Sequence, residues 1–209
     1  MKIYEIYKKY KIHSYKPTNL ANMSIEEIIR TSGCLHEGHT EFRNGLHGNG
    51  WLEKDIIVRN PKYLDRVSQL QSQQILKEFP KVDLLLGAIT GGAIIVSYVA
   101  KHLGTEFGII LGKQNPIVFH DMNIPEKGEK VVLAEDIISS GVDMERFVNF
   151  LKQSGTDVIG ISVWMNRKDN EIAGIRVIDL LTSPYELYEK ENCPLCKDNI
   201  PILFSNVRE

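Results

Sequence analysis

The stretch VVLAEDIISSGVDM, residues 131–144, decides how this chain is read. An apolar run from Val131 to Ala134 stops at two adjacent acids, Glu135 and Asp136. Ile137 and Ile138 follow, then the turn Ser139-Ser140-Gly141, then the start of a helical pattern. An apolar run without alternation marks a strand buried on both faces, as strands are in parallel sheets. Carboxylates near the end of such a strand can accept hydrogen bonds from a sugar diol or hold a hydrated Mg²⁺. N–H groups of a serine-glycine turn ahead of a helix can cradle a phosphate, with Ser139 and Ser140 adding hydroxyl donors. The same residues also suit a plainer role, in which the acids end a strand and Ser139 caps a helix.

Outward from this stretch, strand and helix patterns alternate. Upstream, VDLLLGAI (82–89) is a second apolar run; Gly91 and Gly92 follow, and the helical pattern AIIVSYVAKHL stops at Gly104, where a left-handed glycine terminates a helix. FGIIL (107–111) reads as a strand, and residues 112–129, polar and with two prolines, as a loop or hairpin. Downstream, Phe147, Phe150 and Leu151 recur at helical spacing before Gly155, and DVIGISVWM (157–165) and IRVIDLL (175–181) supply two more strands. The alternation predicts an α/β fold, a doubly wound, mostly parallel sheet flanked by helices. In such a sheet Thr90-Gly91-Gly92 and Glu135-Asp136 belong on one carboxyl edge, facing one cleft.

The first eighty residues have another character. Ser24 and Glu27 form a capping box, and Asn60-Pro61 opens a helix running to about Phe79. Between them, residues 33–50 are dense in Gly, His and Asn around two short strand-like pieces, TEFR (40–43) and WLEK (51–54). The chain divides into a hood-like N-terminal region (1–80), a core (81–182) and a tail (183–209), expected to act as a single domain. Tyr4, Tyr7, Tyr10 and Tyr15, set among lysines, suggest an amphipathic helix docked on the body or on a second subunit. Trp51 is expected to anchor the N-terminal region, and Trp164 to lie in a buried strand.

A length of 209 residues suffices for one well-buried core. The net charge of −2 leaves no electrostatic footprint for nucleic acid. No apolar run approaches the roughly 20 residues that span a bilayer, and the N-terminus lacks a secretory h-region. Three cysteines, an odd count with two of them in Cys193-Pro194-Leu195-Cys196, argue for a reducing compartment and so for the cytoplasm. The CxxC is half of a zinc ligand set, which Cys34, His36, His39 or His47 would have to complete; otherwise it is a tail turn with reduced thiols.

Residues 131–141 resemble the phosphoribosyl pyrophosphate motif of type I phosphoribosyltransferases: four apolar residues, two acids, two apolar residues, two hydroxyl residues and Gly. Residues 37–54, 84–104 and MNRKD (165–169) narrow the resemblance to the orotate branch, and NCPLCKDNIPI (192–202) is similar to the tail of a bacterial subset. The resemblance implies a homodimeric, Mg²⁺-dependent pentosyltransferase that joins a base such as orotate to phosphoribosyl pyrophosphate and releases pyrophosphate. It assigns the ribose hydroxyls to Glu135 and Asp136, and the 5′-phosphate to Ser139, Ser140 and Gly141, with Val142 and Asp143 closing that loop. It assigns the pyrophosphate to Thr90, Gly91 and Gly92, the leaving-group charge to Lys113, the base carboxylate to Arg167, and help with the base to Lys54.

The chain departs from the family's pattern in three places. Asp143 stands where Ser or Thr is usual; as a helix N-cap its carboxylate would take the phosphate's N–H donors and weaken 5′-phosphate binding. The loop after 107–111 offers Lys113, Lys127 and His120 against Asp121, Glu126 and Glu129. Asn44 and Gly48 replace polar residues of the family. These departures keep two other functions open: a transferase or hydrolase acting on a ribosyl donor without the 5′-phosphate, and a non-catalytic nucleotide sensor.

Overall fold

The computed structural model describes residues 20–112, 116–167 and 169–205. The N-terminal tyrosines and Lys113 lie outside them.

The apolar runs form the central strands of a seven-stranded sheet. Its members are β3 (Leu84–Ala88), β4 (Glu106–Leu111), β5 (Val118–Phe119), β6 (Lys130–Ile138), β7 (Asp157–Asn166), β8 (Glu171–Ile172) and β9 (Ile175–Thr182), in the order β5-β4-β3-β6-β7-β9-β8. The five inner strands are parallel; only the short edge strands β5 and β8 run antiparallel. Within the expected loop or hairpin, residues 118–119 add this one short strand, β5.

Alternation along each strand feeds two cores. Leu85, Val132, Ala134 and Trp164 pack on the face covered by α3 (Pro61–Glu78) and α4 (Gly91–Leu103). Leu84, Leu86, Val131, Leu133 and Val163 pack on the other face with Phe147 and Leu151 of α5 (Val142–Gln153). Both faces are covered, which is why the runs lack polar positions. The one large polar insertion is orderly: the buried Gln71 of α3 accepts from Trp164 Nε1 at 3.1 Å and donates to the Ser162 carbonyl at 3.0 Å. Local signals set the helix ends. Asn60 accepts from the Lys62 N–H ahead of Pro61, the capping box at Ser24 and Glu27 opens α1 (Ile25–Ser32), and Gly104 closes α4 at φ 73°.

A second, four-stranded sheet has the order β10-β2-β1-β11, from β1 (Leu35–Glu41), β2 (His47–Leu52), β10 (Leu187–Tyr188) and β11 (Phe204–Ser205). Here the strand boundaries differ from those expected. Only Thr40-Glu41 and Trp51-Leu52 of those pieces belong to the strands, which take in residues 35–39 and the segment 47–50 with its glycines, on either side of a turn at 42–46. The glycines have a packing reason: a side chain at Gly50 would run into the Tyr185 ring, and one at Gly48 would press on Phe42. The small body is also not confined to the N-terminal region, since two of its four strands come from residues beyond 183. A short helix, α2 (Asp55–Val58), joins it to α3.

Candidate active site

The chain moves outward from β3 to β4, then returns to place β6 on the other side of β3. Loops leaving β3 and β6 therefore diverge at their carboxyl ends, and the crevice between them is where open α/β sheets bind ligands. The ladder between these strands stops at Leu86↔Leu133. Glu135 and Asp136 lie just beyond it, so β6 continues past the acids with β7 as its only partner. Thr90-Gly91-Gly92 and the acid pair stand on this one edge, as the alternation predicted.

Their contacts are close. Glu135 Oε1 accepts the Ala88 N–H at 2.9 Å. A Cβ built on Gly91 would sit 3.1 Å from Asp136 Oδ2, and one on Gly92 would collide with the Glu135 carboxylate. Asp136, only 4% exposed, accepts the Ile137 N–H through Oδ1 at 2.7 Å and Lys54 Nζ through Oδ2 at 2.6 Å. Burial pulls the Lys54 ammonium down, but Asp136, with Glu135 and Asp55, outweighs it and holds Lys54 above the ordinary lysine range. Lys54 thus ties the small body to the acid edge.

Below the acids a cavity of about 190 Å³ is lined by Ser139, Ser140, Gly141 and the first turn of α5. Gly141 occupies the N-cap at φ 76° and has no side chain with which to cap, so first-turn N–H groups of α5 have no side-chain acceptor at this end. Asp143 lines this cavity but is not the N-cap that was expected. It lies inside the helix one residue beyond Val142, its carboxylate accepts from Arg146 Nη1 at 3.3 Å, and its side chain is 60% exposed. The left-handed turn at Gly141 starts the helix early enough that Asp143 falls past the capping position. Val142 is exposed and is not among the residues that line this cavity.

A second cavity of about 370 Å³ adjoins the first, sharing Lys54, Asp136 and Ser139. Phe42, Trp51, Phe204 and Arg167 line it too, together with the acids Glu53 and Asp55. Trp51 is sandwiched between His36 and Phe204, with ring centroids at 4.7 and 4.6 Å. Arg167 donates its backbone N–H to the Ile138 carbonyl at 3.0 Å, and its guanidinium lies 4.9 Å from the Phe42 ring. Burial lowers its pKa, its buried Nε has no hydrogen-bond partner, and among the described residues no carboxylate forms an ion pair with it. A half-buried cation left without a counterion suits an anionic ligand. Residue spacing carried no sign of Phe42 or Phe204 as walls; Trp51 was legible only as an anchor.

The remaining predicted residues go elsewhere. Lys127 packs against Gly155, whose carbonyl accepts the Gly128 N–H, at the opposite edge of the sheet. Asn44 accepts the Leu46 N–H in the turn between β1 and β2. Of the candidates for completing the CxxC, His39 and His47 meet Cys193 and Cys196, with ligand atoms all within 4.8 Å of one another. Cys34 instead donates its thiol to the Ile29 carbonyl, and burial pushes its pKa up to about 11.

Residues 53–176 match the family of the phosphoribosyl transferase domain, which takes in the acid edge, the first cavity's lining and Arg167 but not Phe42, Trp51 or Phe204. The chain is 27% identical to the orotate phosphoribosyltransferase of Caldanaerobacter subterraneus over 180 residues, covering 85% of this chain and 93% of that one. It is 28% identical to that of Pelotomaculum thermopropionicum over 181 residues, with 85% and 93% covered. The fold is similar to the crystal structure of orotate phosphoribosyltransferase from Aeropyrum pernix, with a TM-score of 0.63, 18% identity, and 77% of this chain and 93% of that chain covered.

Proposed function

The chain belongs to the phosphoribosyl transferase domain family, and on that premise we propose that it joins orotate to phosphoribosyl pyrophosphate, releasing pyrophosphate. The base nitrogen forms a bond to C1′ of the ribose as the bond from C1′ to the pyrophosphate oxygen breaks, and the proton of that nitrogen leaves with the pyrophosphate. Positive charge gathers on the ribose in between, and the carboxylates of Glu135 and Asp136 stabilise it while accepting the sugar hydroxyls. No covalent nucleophile is required; catalysis is positioning and electrostatics.

The assignments follow the cavities. Ser139, Ser140, Gly141 and the open first turn of α5 take the 5′-phosphate. The Thr90-Gly91-Gly92 turn takes the pyrophosphate, and Lys113 is the cation this reading gives to the leaving group. The acid edge offers carboxylate oxygens beside a backbone turn. That donor set fits Mg²⁺, a hard ion that keeps several waters, and the ion would neutralise pyrophosphate charge as it leaves. A homodimer working in the cytoplasm belongs to the same reading, and three free cysteines are consistent with that compartment. Among the described residues no helix is long and apolar enough to cross a membrane.

Arg167 carries the choice of base. Its guanidinium lines a cavity shared with Lys54, Glu53, Asp55 and Asp136, and it has no carboxylate partner of its own among the described residues, whereas orotate brings a carboxylate where neutral pyrimidines do not. An Arg167→Gln variant is expected to lose about 1.5–3 kcal/mol of transition-state binding, roughly 10- to 150-fold in kcat/KM for orotate. Its affinity for phosphoribosyl pyrophosphate should stay near that of the wild type. Steady-state kinetics with orotate and uracil check this; a wild-type enzyme that uses both equally would overturn the reading.

Asp143 does not cap α5, so it leaves the first-turn N–H groups to the 5′-phosphate, although it lines the same cavity. Its carboxylate is solvated and paired with Arg146, so its field at the phosphate site is screened. An Asp143→Ser variant is expected to bind phosphoribosyl pyrophosphate within about fivefold of wild type, the scale of a surface charge worth up to about 1 kcal/mol. Calorimetry on both proteins measures it, and a gain of ten-fold or more would show that the carboxylate does reach the phosphate.

A further inference from the structure

We propose that His39, His47, Cys193 and Cys196 form a structural zinc site that staples the chain after residue 190 to the β1–β2 hairpin. The inference is independent of the base transfer. Glu41 lies opposite His47 in the hairpin register, and His39, two residues before Glu41, places its ring beside that of His47. Cys193 and Cys196 are presented by one turn, α6 (Pro194–Lys197), with Cys193 as its N-cap. The four ligand atoms are His39 Nε2, His47 Nδ1 and the two Sγ atoms. His39 Nε2 stands 3.6 Å from each sulfur, and His47 Nδ1 stands 3.3 Å from Cys196 Sγ.

Those spacings suit one central ion. Zinc bonds of about 2.0–2.1 Å to nitrogen and about 2.3 Å to sulfur put tetrahedral neighbours roughly 3.3–3.8 Å apart. The two ring nitrogens, at 2.8 Å, would separate by about half an ångström to reach that range.

The outer contacts argue the same way. His39 Nδ1 lies 2.6 Å from the Ile200 carbonyl and must donate its proton there, leaving Nε2 with a bare lone pair. Without a metal, His47 Nδ1 would have to donate to that lone pair. His47 Nε2 would then be a buried acceptor, and it has no hydrogen-bond partner. With a cation on Nδ1, the proton moves to Nε2 and faces Glu41 Oε1 at 3.9 Å, a carboxylate behind a ligating imidazole. His39, His47 and Cys193 are buried and Cys196 is half-buried, so four protein ligands close the shell and leave no position for substrate. Two nitrogens with two sulfurs select zinc over the harder divalent ions.

The staple has a consequence for the site wall. Leu203 donates its N–H to the His39 carbonyl at 2.7 Å, and Phe204 follows directly onto Trp51. Ion, hairpin and aromatic wall are one connected unit.

The test is metal content of the full chain after zinc reconstitution and dialysis, with cobalt as a spectroscopic probe. Wild-type protein should hold about one zinc per chain and, with Co²⁺, show sulfur-to-cobalt charge-transfer and tetrahedral ligand-field bands. Cys196→Ser should lose that tight binding, while Cys34→Ser, outside the cluster, should keep it. Removing the ion with a chelator should speed tryptic cleavage after Lys190 and Lys197 by roughly tenfold, as the segment opens locally. Wild-type protein holding less than about a tenth of an equivalent of zinc and giving no cobalt bands would overturn the site. Cleavage unchanged after the metal has left would overturn the staple.

Discussion

A Gly92→Ala variant is expected to keep its fold and lose about 100-fold in kcat/KM, the scale of a misplacement near 1 Å in a catalytic group. The added Cβ would overlap Glu135 Oε1 and stand 2.7 Å from Oε2. The backbone has little room to retreat, because Gly87 of β3 already lies against the Gly92 carbonyl. The Glu135 carboxylate must therefore swing away and give up the Ala88 N–H. Overpacking costs about 1–3 kcal/mol, and replacing glycine within a helix returns about 0.5–1 kcal/mol, so the change in stability should be modest. Gly91→Ala, whose Cβ would stand 3.1 Å from Asp136, should be milder. Thermal melts beside steady-state kinetics separate the two effects. Wild-type activity in Gly92→Ala would mean that the place of Glu135 does not matter to the reaction.

Asp136→Asn should cost on the order of 10²–10³-fold in kcat, the range for one preorganised electrostatic group aimed at developing charge. The replacement keeps the shape of a side chain that is 4% exposed, and its oxygen can still accept the Ile137 N–H. What is lost is the partner of Lys54 and, on the proposed reading, a negative charge beside the sugar. Lys54 is 37% exposed along its side chain, so its ammonium can turn to water, and the stability loss should stay near 1–2 kcal/mol. The sign of its pH dependence follows from the raised pKa of Lys54 in the folded protein. A raised pKa stabilises fully below the unfolded lysine value and loses that contribution as pH climbs through the folded one. The stability gap between wild type and variant should therefore be flat through neutrality and close only in the alkaline range. Base transfer and its reversal share one transition state, so both directions should slow together. An Asp136→Asn enzyme turning over at the wild-type rate in either direction would remove Asp136 from the mechanism.

Much of this was legible before any coordinates. The runs at 84–88, 131–134 and 157–165 announce strands because two layers of helices leave them no polar face. The acid pair and the glycine turn could be placed on one edge because parallel strands send their carboxyl ends the same way. Asp143 does not cap, for a local reason: a cap precedes its helix, and with positive φ Gly141 takes that position two residues earlier. Arg167 came from resemblance, and its want of a counterion is a property of the surrounding walls. The strands at 35–41 and 47–52 were hidden because their glycines make room for Phe42 and Tyr185, the latter far along the chain. The CxxC could be seen, but choosing His39 and His47 over Cys34 and His36 required the hairpin and the tail in contact.

The two sheets also differ in what their pairing asks of the unfolded chain. In the large sheet three of the four parallel pairs are closed by one helix or hairpin, and the widest, β3 with β6, joins Leu84 to Val131. The small sheet joins Thr40 to Phe204 and Glu41 to Ser205, across most of the sequence. Closing so long a loop costs entropy that only the finished contacts return, and each doubling of its length adds about 0.6 kcal/mol. Such pairings form late and open early. A partly open state, with β3 to β9 intact and the small sheet released, is thus the lowest excursion from the native fold. Backbone amides of residues 39–41 and 203–205 should then exchange with solvent as one group, ahead of those in β3 and β6. Because Trp51 and Phe204 belong to that group, the wall beside Arg167 would come and go with it, while the cradle at the start of α5 stays in place.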